Sequence, residues 1–303
     1  MKVQQPLGGY VAPLLKYRLM LYGRLARMDK PIGTMLLLWP TLWALWLAAG
    51  GFPQWSRLTV FVLGTFLMRS AGCVLNDIAD RHFDGRVQRT QGRVLASGKI
   101  YLWEAVMVAV VLLVGAAVLL LFLNDLAVQY AFTAVIVAAA YPYFKRFFVM
   151  PQAMLGVAFG FGIPMAFADT QGQIPPVAWM LFLANFFWTI AYDTAYAMVD
   201  RDDDLKIGIR SSALTFGRWD VLAVAICYVL FLWCMLIVGQ SLPGVSGSHW
   251  MYWLGWAVTA VLCALLTLRL RHRQRDSCFA VFKANNYVGM PLFVAIAVQV
   301  MLQ

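Results

Sequence analysis

The feature that most constrains this chain is a series of nine apolar runs, each meeting or approaching the ~20 residues a helix needs to cross the hydrocarbon core of a bilayer. They cover residues 31–49, 58–75, 101–123, 126–144, 147–168, 177–199, 221–238, 250–268 and 284–302. Short turn-forming breaks separate them, such as Gly50-Gly51-Phe52-Pro53 and Asn124-Asp125. A backbone in lipid must satisfy its own hydrogen bonds, so such runs fold as helices. Hydrophobic residues at 62% and charged residues at 13% exclude a soluble domain of this length. The expected fold is therefore all-α: a polytopic bundle of nine transmembrane helices.

Charge placement tests that count, because Lys and Arg collect in alternate loops when spans are assigned correctly. Of the 24 basic residues, all but Arg57 and Arg69 fall in the N-terminal tail or in the loops after spans two, four, six and eight. This pattern puts the N-terminus in the cytoplasm and the C-terminus on the far side of the membrane. It also explains the formal charge of +10 without nucleic acid, since the basic residues lie in short clusters between apolar runs. Residues 1–30 lack the apolar core and cleavage site of a signal peptide. They read as a cytoplasmic segment, amphipathic over 12–28 and lying on the membrane surface, with a basic topogenic tail as the alternative. Residues 31–303 form one intramembrane domain. The five cysteines show no metal-ligand spacing and read as small buried side chains.

Half of the fourteen acidic residues lie in two loops on the basic, cytoplasmic side. In Ala71–Gly85, AGCVLNDIADRHFDG, Asn76, Asp80 and Asp84 follow at four-residue spacing, which on a helix is nearly one face. In YDTAYAMVDRDDDLKIG, Asp200 and Asp204 repeat that spacing at the end of the sixth span. Like charges one turn apart repel unless a cation neutralises them. Oxygen donors so arranged suit Mg²⁺, which binds through a few carboxylates together with phosphate oxygens, so two facing ladders would hold a diphosphate. Pairing with basic neighbours such as Arg81, Arg201 and Lys206 in a solvated rim is the alternative.

Asp193 lies seven residues before Asp200 on the same face, inside a span, where an ionisable group is costly and a functional candidate. It could orient an acceptor or take its proton, or simply bond to another helix. Arg27, Lys145, Arg146, Lys206 and Arg210 are candidates for binding phosphate or carboxylate, although topology alone also accounts for them. Gly156, Gly160 and Gly162 in the fifth span permit close helix packing or a groove. No Walker loop, nucleophile elbow or histidine set is present.

These residues resemble a known family. NDIADRHFDG matches the NDxxDxxxD signature of the UbiA-type intramembrane aromatic prenyltransferases, and YDTAYAMVDRDDDLKIGIRSSALTFG resembles their second aspartate-rich signature. RMDKPIGTMLLLWPTLWALWLAAGG and YPYFKRFFVMPQAMLGVAFGFGIPMAFA are similar to the branch that acts on 4-hydroxybenzoate. The resemblance implies nine helices around a central cavity capped on the cytoplasmic side, open laterally to lipid, in the bacterial inner membrane. It implies Mg²⁺–diphosphate contacts by Asn76, Asp80, Asp84, Asp200 and Asp204, and diphosphate or carboxylate contacts by Lys145 and Arg146. The implied reaction joins a polyprenyl group from polyprenyl diphosphate to 4-hydroxybenzoate for ubiquinone synthesis, with the lipid bilayer as host and no obligate protein partner evident. Naphthoate, homogentisate or haem remain alternative acceptors. A divalent-cation transporter fits less well, because its acids would line both halves of a path, whereas these gather at one face.

Overall fold

The computed structural model describes residues 8–144, 147–242 and 249–302, and among these every regular element is helical. Helix α1 (Gly8–Leu25) precedes α2 (Ile32–Ala49), α3 (Trp55–Ala79), α4 (Leu102–Leu120) and α5 (Asp125–Phe144). Then come α6 (Pro151–Gly160), α7 (Gly162–Gln171), α8 (Pro176–Ile207), the short α9 (Ser212–Phe216) and α10 (Asp220–Gln240). Helices α11 (Trp250–Leu270), α12 (Arg275–Ala284) and α13 (Asn286–Met301) complete the chain.

Among the described residues, eight helical segments are long and apolar enough to cross a membrane: α2, α3, α4, α5, α6–α7, α9–α10, α11 and α12–α13. The remaining expected span, the sixth, is α8, which is more polar because it carries Asn185, Thr189, Asp193 and Thr194, all buried. Its 32 residues extend about 48 Å, well beyond a hydrocarbon core of about 30 Å. The excess carries Asp200–Lys206, which the sequence places in a loop. The helix continues because no Gly or Pro interrupts it before Gly208, whose left-handed backbone (φ 72°) caps it by donating its N–H to the Asp204 carbonyl. Arg201 also bonds the carbonyls of Ala213 and Gly217 and pairs with the buried Asp220 at 2.9 Å.

The expected fifth span is two helices that meet at Phe161. Pro164 has no N–H for the Gly160 carbonyl, and its ring crowds that carbonyl. Gly156 and Gly160 lie against Phe186 and Phe182 of α8, so these glycines serve close packing. The expected ninth span is likewise divided, at Asn285. Its side-chain amide donates to the Val281 carbonyl at 2.9 Å and competes with the helical ladder there. Its oxygen accepts from Trp188 Nε1 (3.0 Å) and the Tyr228 hydroxyl (2.9 Å), which fixes the joint to α8 and α10. Helix α12, assigned to a basic loop by the sequence, thereby packs across the end of α8.

Tryptophans of α2 complete the core: Trp43 donates to the Gly289 carbonyl, and Trp39 to Asn286, at 3.1 and 2.8 Å. The five cysteines are buried thiols. Helix α1 buries Leu21 and Leu25, leaves Leu14, Leu15, Leu19 and Met20 exposed, and joins the buried Glu104 of α4 through Arg18 and Tyr22.

At the end of the bundle remote from the acidic ladders, Asp169 of α7 accepts from Arg57 Nε at 2.6 Å and from the Asn124 N–H at 3.0 Å. This ties α3, α7 and the turn before α5. Asp169→Leu, which leaves a guanidinium and an amide without their acceptor, should cost about 2–3 kcal/mol, read as a lower thermal unfolding midpoint in detergent. Asp169→Asn should lose less, because it keeps an acceptor.

Candidate active site

Two walls bring the acidic residues together. The first is the end of α3, which stops at Ala79, so the three ladder residues are not on one continuous helix: Asp80 is the C-cap and Asp84 opens a 3₁₀ turn. The one-turn spacing nevertheless persists, because the Asp80 N–H donates to the Asn76 carbonyl and the Asp84 N–H to the Asp80 carbonyl, both at 2.9 Å. The second wall is α8, where Asp193, Asp200 and Asp204 share a face at offsets of seven and four. Asn76, Asp77, Asp80, Asp84, Asp193, Asp200 and Asp204 all line one cavity of about 1250 Å³.

Arginines that topology alone would explain do most of the pairing. Asp77 is almost wholly buried and takes Arg27 Nη2 on both oxygens at 2.9 Å and Arg93 Nη1 at 3.0 Å. Arg93 also holds Asp84 at 2.8 Å. Burial raises the Asp84 carboxyl above its ordinary range, Arg93 opposes that, and Asp77 reinforces it. Arg89 reaches Asp200 with Nε at 2.9 Å and with Nη2, and lies 4.5 Å over the Tyr196 ring. Its guanidinium is held above its usual range by the tyrosine and the carboxylates, against the opposing cost of burial. Arg27 sits at φ 57°, a left-handed conformation that costs a non-glycine residue about 1 kcal/mol or more, and Asp77 secures it there.

The mouth is closed by two segments. The loop after α3 donates the Gln88 N–H toward Asp203, and α12 pairs Arg275 with Asp203 at 3.0 Å. Phe282 of α12 stacks on Tyr196 with ring centroids 4.4 Å apart, and Phe279, Phe282 and Lys283 line the cavity. From Asn76 the cavity follows α3 down to Val60, about 24 Å at helical rise, between apolar side chains such as Leu113, Leu120, Val135 and Phe159.

Of the basic residues singled out in the sequence, Arg27 and Arg210 line this cavity, and Arg210 donates to the Phe147 carbonyl at 2.8 Å. Lys206 is exposed outside it, because two residues beyond Asp204 a helix has turned to another face. Lys145 and Arg146 lie outside the described residues. Sequence reasoning missed the pairing by Arg89 and Arg93 and the roof made by α12. The apolar spacing of Cys278, Val281 and Phe282 was a signal for that helix.

The donor set fits a hard divalent cation: Asn76, Asp80, Asp84, Asp200 and Asp204 offer only amide and carboxylate oxygen along one cavity. Among the described residues no three acids or imidazoles converge on one point. The protein would thus supply a few oxygens, with the rest of the shell coming from water or a ligand.

Fold and cavity together define a polytopic, all-helical membrane protein with a charged chamber above an apolar shaft. A model of the UbiA prenyltransferase family matches residues 37–289, and the chain belongs to that family. It is 57% identical, over 93% of its length and 97% of the relative's, to a 4-hydroxybenzoate octaprenyltransferase of Cupriavidus necator. Among solved structures it is similar to a UbiA homologue from Aeropyrum pernix, with a TM-score of 0.75 at 20% identity, covering 87% of this chain and 97% of the other. A UbiA homologue from Archaeoglobus fulgidus bound to GPP and Mg²⁺ gives 0.71 at 16% identity, covering 93% and 99%.

The two kinds of ion pair should differ in weight. Arg93→Ala leaves the buried Asp77 and Asp84 short of a partner and should cost roughly 3 kcal/mol. Arg275→Ala removes a more exposed pair and should cost under about 1 kcal/mol. Thermal unfolding midpoints of the two purified variants measure the contrast.

Proposed function

We propose that this chain transfers a polyprenyl group from a polyprenyl diphosphate to the 3-position of 4-hydroxybenzoate, in ubiquinone biosynthesis. The observation that carries the reading is the division of one cavity into an acid- and arginine-lined chamber and a long apolar shaft. That shape suits a molecule with a charged head and an isoprenoid tail, and the named activity of the 57% identical relative supplies the acceptor.

In this reading Asn76, Asp80, Asp84, Asp200 and Asp204 hold Mg²⁺, which when bound neutralises charge on the diphosphate. Arg27 and Arg210, which line the cavity, are the proposed contacts for the diphosphate or the aromatic carboxylate, together with Lys145 and Arg146, while Lys206, outside the cavity, is no longer one of them. The apolar walls keep water away while the bond between prenyl C1 and the diphosphate oxygen breaks. The electron pair leaves with the diphosphate, and the ring carbon ortho to the phenol forms the new bond to C1. The proton of that ring carbon must then leave, and Asp193, which lines the cavity, is the proposed group that orients the phenol or accepts the proton. In the same reading the acidic end faces the cytoplasm of a bacterial inner membrane, the described part of the N-terminal segment, residues 8–30, lies at that surface, and the catalytic domain begins at residue 31.

Membranes containing the protein, given Mg²⁺, polyprenyl diphosphate and 4-hydroxybenzoate, should yield 3-polyprenyl-4-hydroxybenzoate by mass. A chelator should stop turnover and added Mg²⁺ should restore it. Asp200→Asn should abolish turnover while the bundle stays folded. Near-normal activity of that variant at limiting Mg²⁺ would overturn the metal assignment.

A further inference from the structure

Six arginines at the ladder end of the bundle each hold a carboxylate: Arg27, Arg89, Arg93, Arg201, Arg273 and Arg275. Arg218 and Arg271 are exposed, and among the described residues no carboxylate lies in ion-pair range of either. The turn after α11 folds them together at the start of α10. Arg273 donates from Nε to Asp220 Oδ1 at 2.9 Å and from Nη2 to the Arg218 carbonyl at 2.8 Å. Its backbone is left-handed there (φ 50°), and the buried Asp220 secures it. The Arg218 guanidinium lies over the Trp219 ring, 5.0 Å from its centroid, and that ring is 56% exposed. Two guanidinium groups without a counter-ion and an exposed indole thus share the point where α10 begins and α11 ends.

From that point two apolar edges run side by side. On α10, Leu222, Ile226, Val229 and Trp233 recur at helical spacing, and on α11 so do Leu254, Val258, Val261, Leu265 and Leu268; all nine are exposed. Between these edges the two helices pack, with Trp256 Nε1 donating to the Leu232 carbonyl at 2.9 Å. The seam is therefore apolar along its length and cationic at its ladder end. Topology accounts for Lys and Arg on one side of a membrane. It does not require them to meet over an aromatic ring at the head of an apolar seam while their neighbours are paired.

We propose that this seam binds an anionic phospholipid, its phosphate held by Arg218 and Arg271 and its acyl chains laid along α10 and α11. The planar fork of an arginine matches phosphate oxygens, and an indole settles at the level of the headgroups. The site bears on the chamber without being part of it. Asp220 pairs with Arg201 as well as Arg273, and Arg201 is the neighbour of Asp200 on α8. A phosphate at this turn offsets the mutual repulsion of Arg201, Arg218, Arg271 and Arg273 and so supports the extension of α8 that carries Asp200 and Asp204. The inference is independent of the prenyl-transfer reading, and its test needs no turnover.

The purified protein in an uncharged detergent is titrated with dioleoyl phosphatidylglycerol, dioleoyl phosphatidylcholine or inorganic phosphate, and binding is read by native mass spectrometry and by the thermal unfolding midpoint. Phosphatidylglycerol should be retained and raise the midpoint. Phosphatidylcholine should bind about 10-fold more weakly or worse, and phosphate alone should neither raise the midpoint nor displace the lipid. Arg218→Gln and Arg271→Gln should each weaken phosphatidylglycerol binding about 5-fold, and the double variant about 30-fold, the affinity that basic residues add at an anionic headgroup. Arg86→Gln combined with Lys99→Gln removes the same charge from exposed positions at the same end of the bundle and should leave binding unchanged. All four side chains are exposed, so the midpoints without lipid should match the wild type, and the single variants decide if the double variant does not fold. Equal binding of the two lipids, an equal loss in the Arg86/Lys99 pair, or a midpoint shift by phosphate alone overturns the proposal.

Discussion

A carboxylate inside an apolar bundle stays ionised only beside a counter-charge, and the cavity is organised by how that requirement is met. Asp77, Asp84 and Asp200 are held by Arg27, Arg93 and Arg89, which arrive from the turn after α1 and from the loop after α3. Those pairs fix where the loop crosses the mouth, and the loop in turn positions Gln88 against Asp203. Asp77 is one residue off the ladder face, and its two arginines make it an anchor of the cap.

The two acidic walls are similar in sequence and unlike in build. On α8 the acids stand on one unbroken helix that extends past the bilayer. On α3 the helix ends first, and the chain carries Asp84 onward through a turn. One wall is therefore rigid to its tip, while the other depends on arginine contacts for its shape. The correspondence between them still reaches below the ladders, since a charged residue sits seven positions before each: Arg69 on one side, Asp193 on the other.

The spans were legible because length and apolarity suffice to specify a helix in lipid, and the acidic clusters because their spacing matches the helical repeat. Helix ends were less legible. The charges of Asp200–Lys206 suggest a loop, yet the stop signal is Gly208, and side-chain bonds to Asp220 and to two distant carbonyls support the extra turns. Helix α12 was hidden by its flanking charges. The pairing of Arg89 with Asp200 links residues 111 apart, and no local pattern encodes it. Arg89 and Arg93 sit in a loop where the positive-inside rule already accounts for basic residues, so their second role leaves no separate trace.

Asn285 has a consequence for which sequences this fold tolerates. At the joint between α12 and α13 its side chain must accept two hydrogen bonds on one oxygen and donate one from the other branch, with no solvent to substitute. Aspartate can accept both but cannot donate, and it brings a charge. Glutamine has the right groups on a stem one carbon too long, and serine has too few. The joint that sets α12 over the cavity therefore narrows the residue alphabet at that position to a single letter, far more tightly than any of the apolar positions around it.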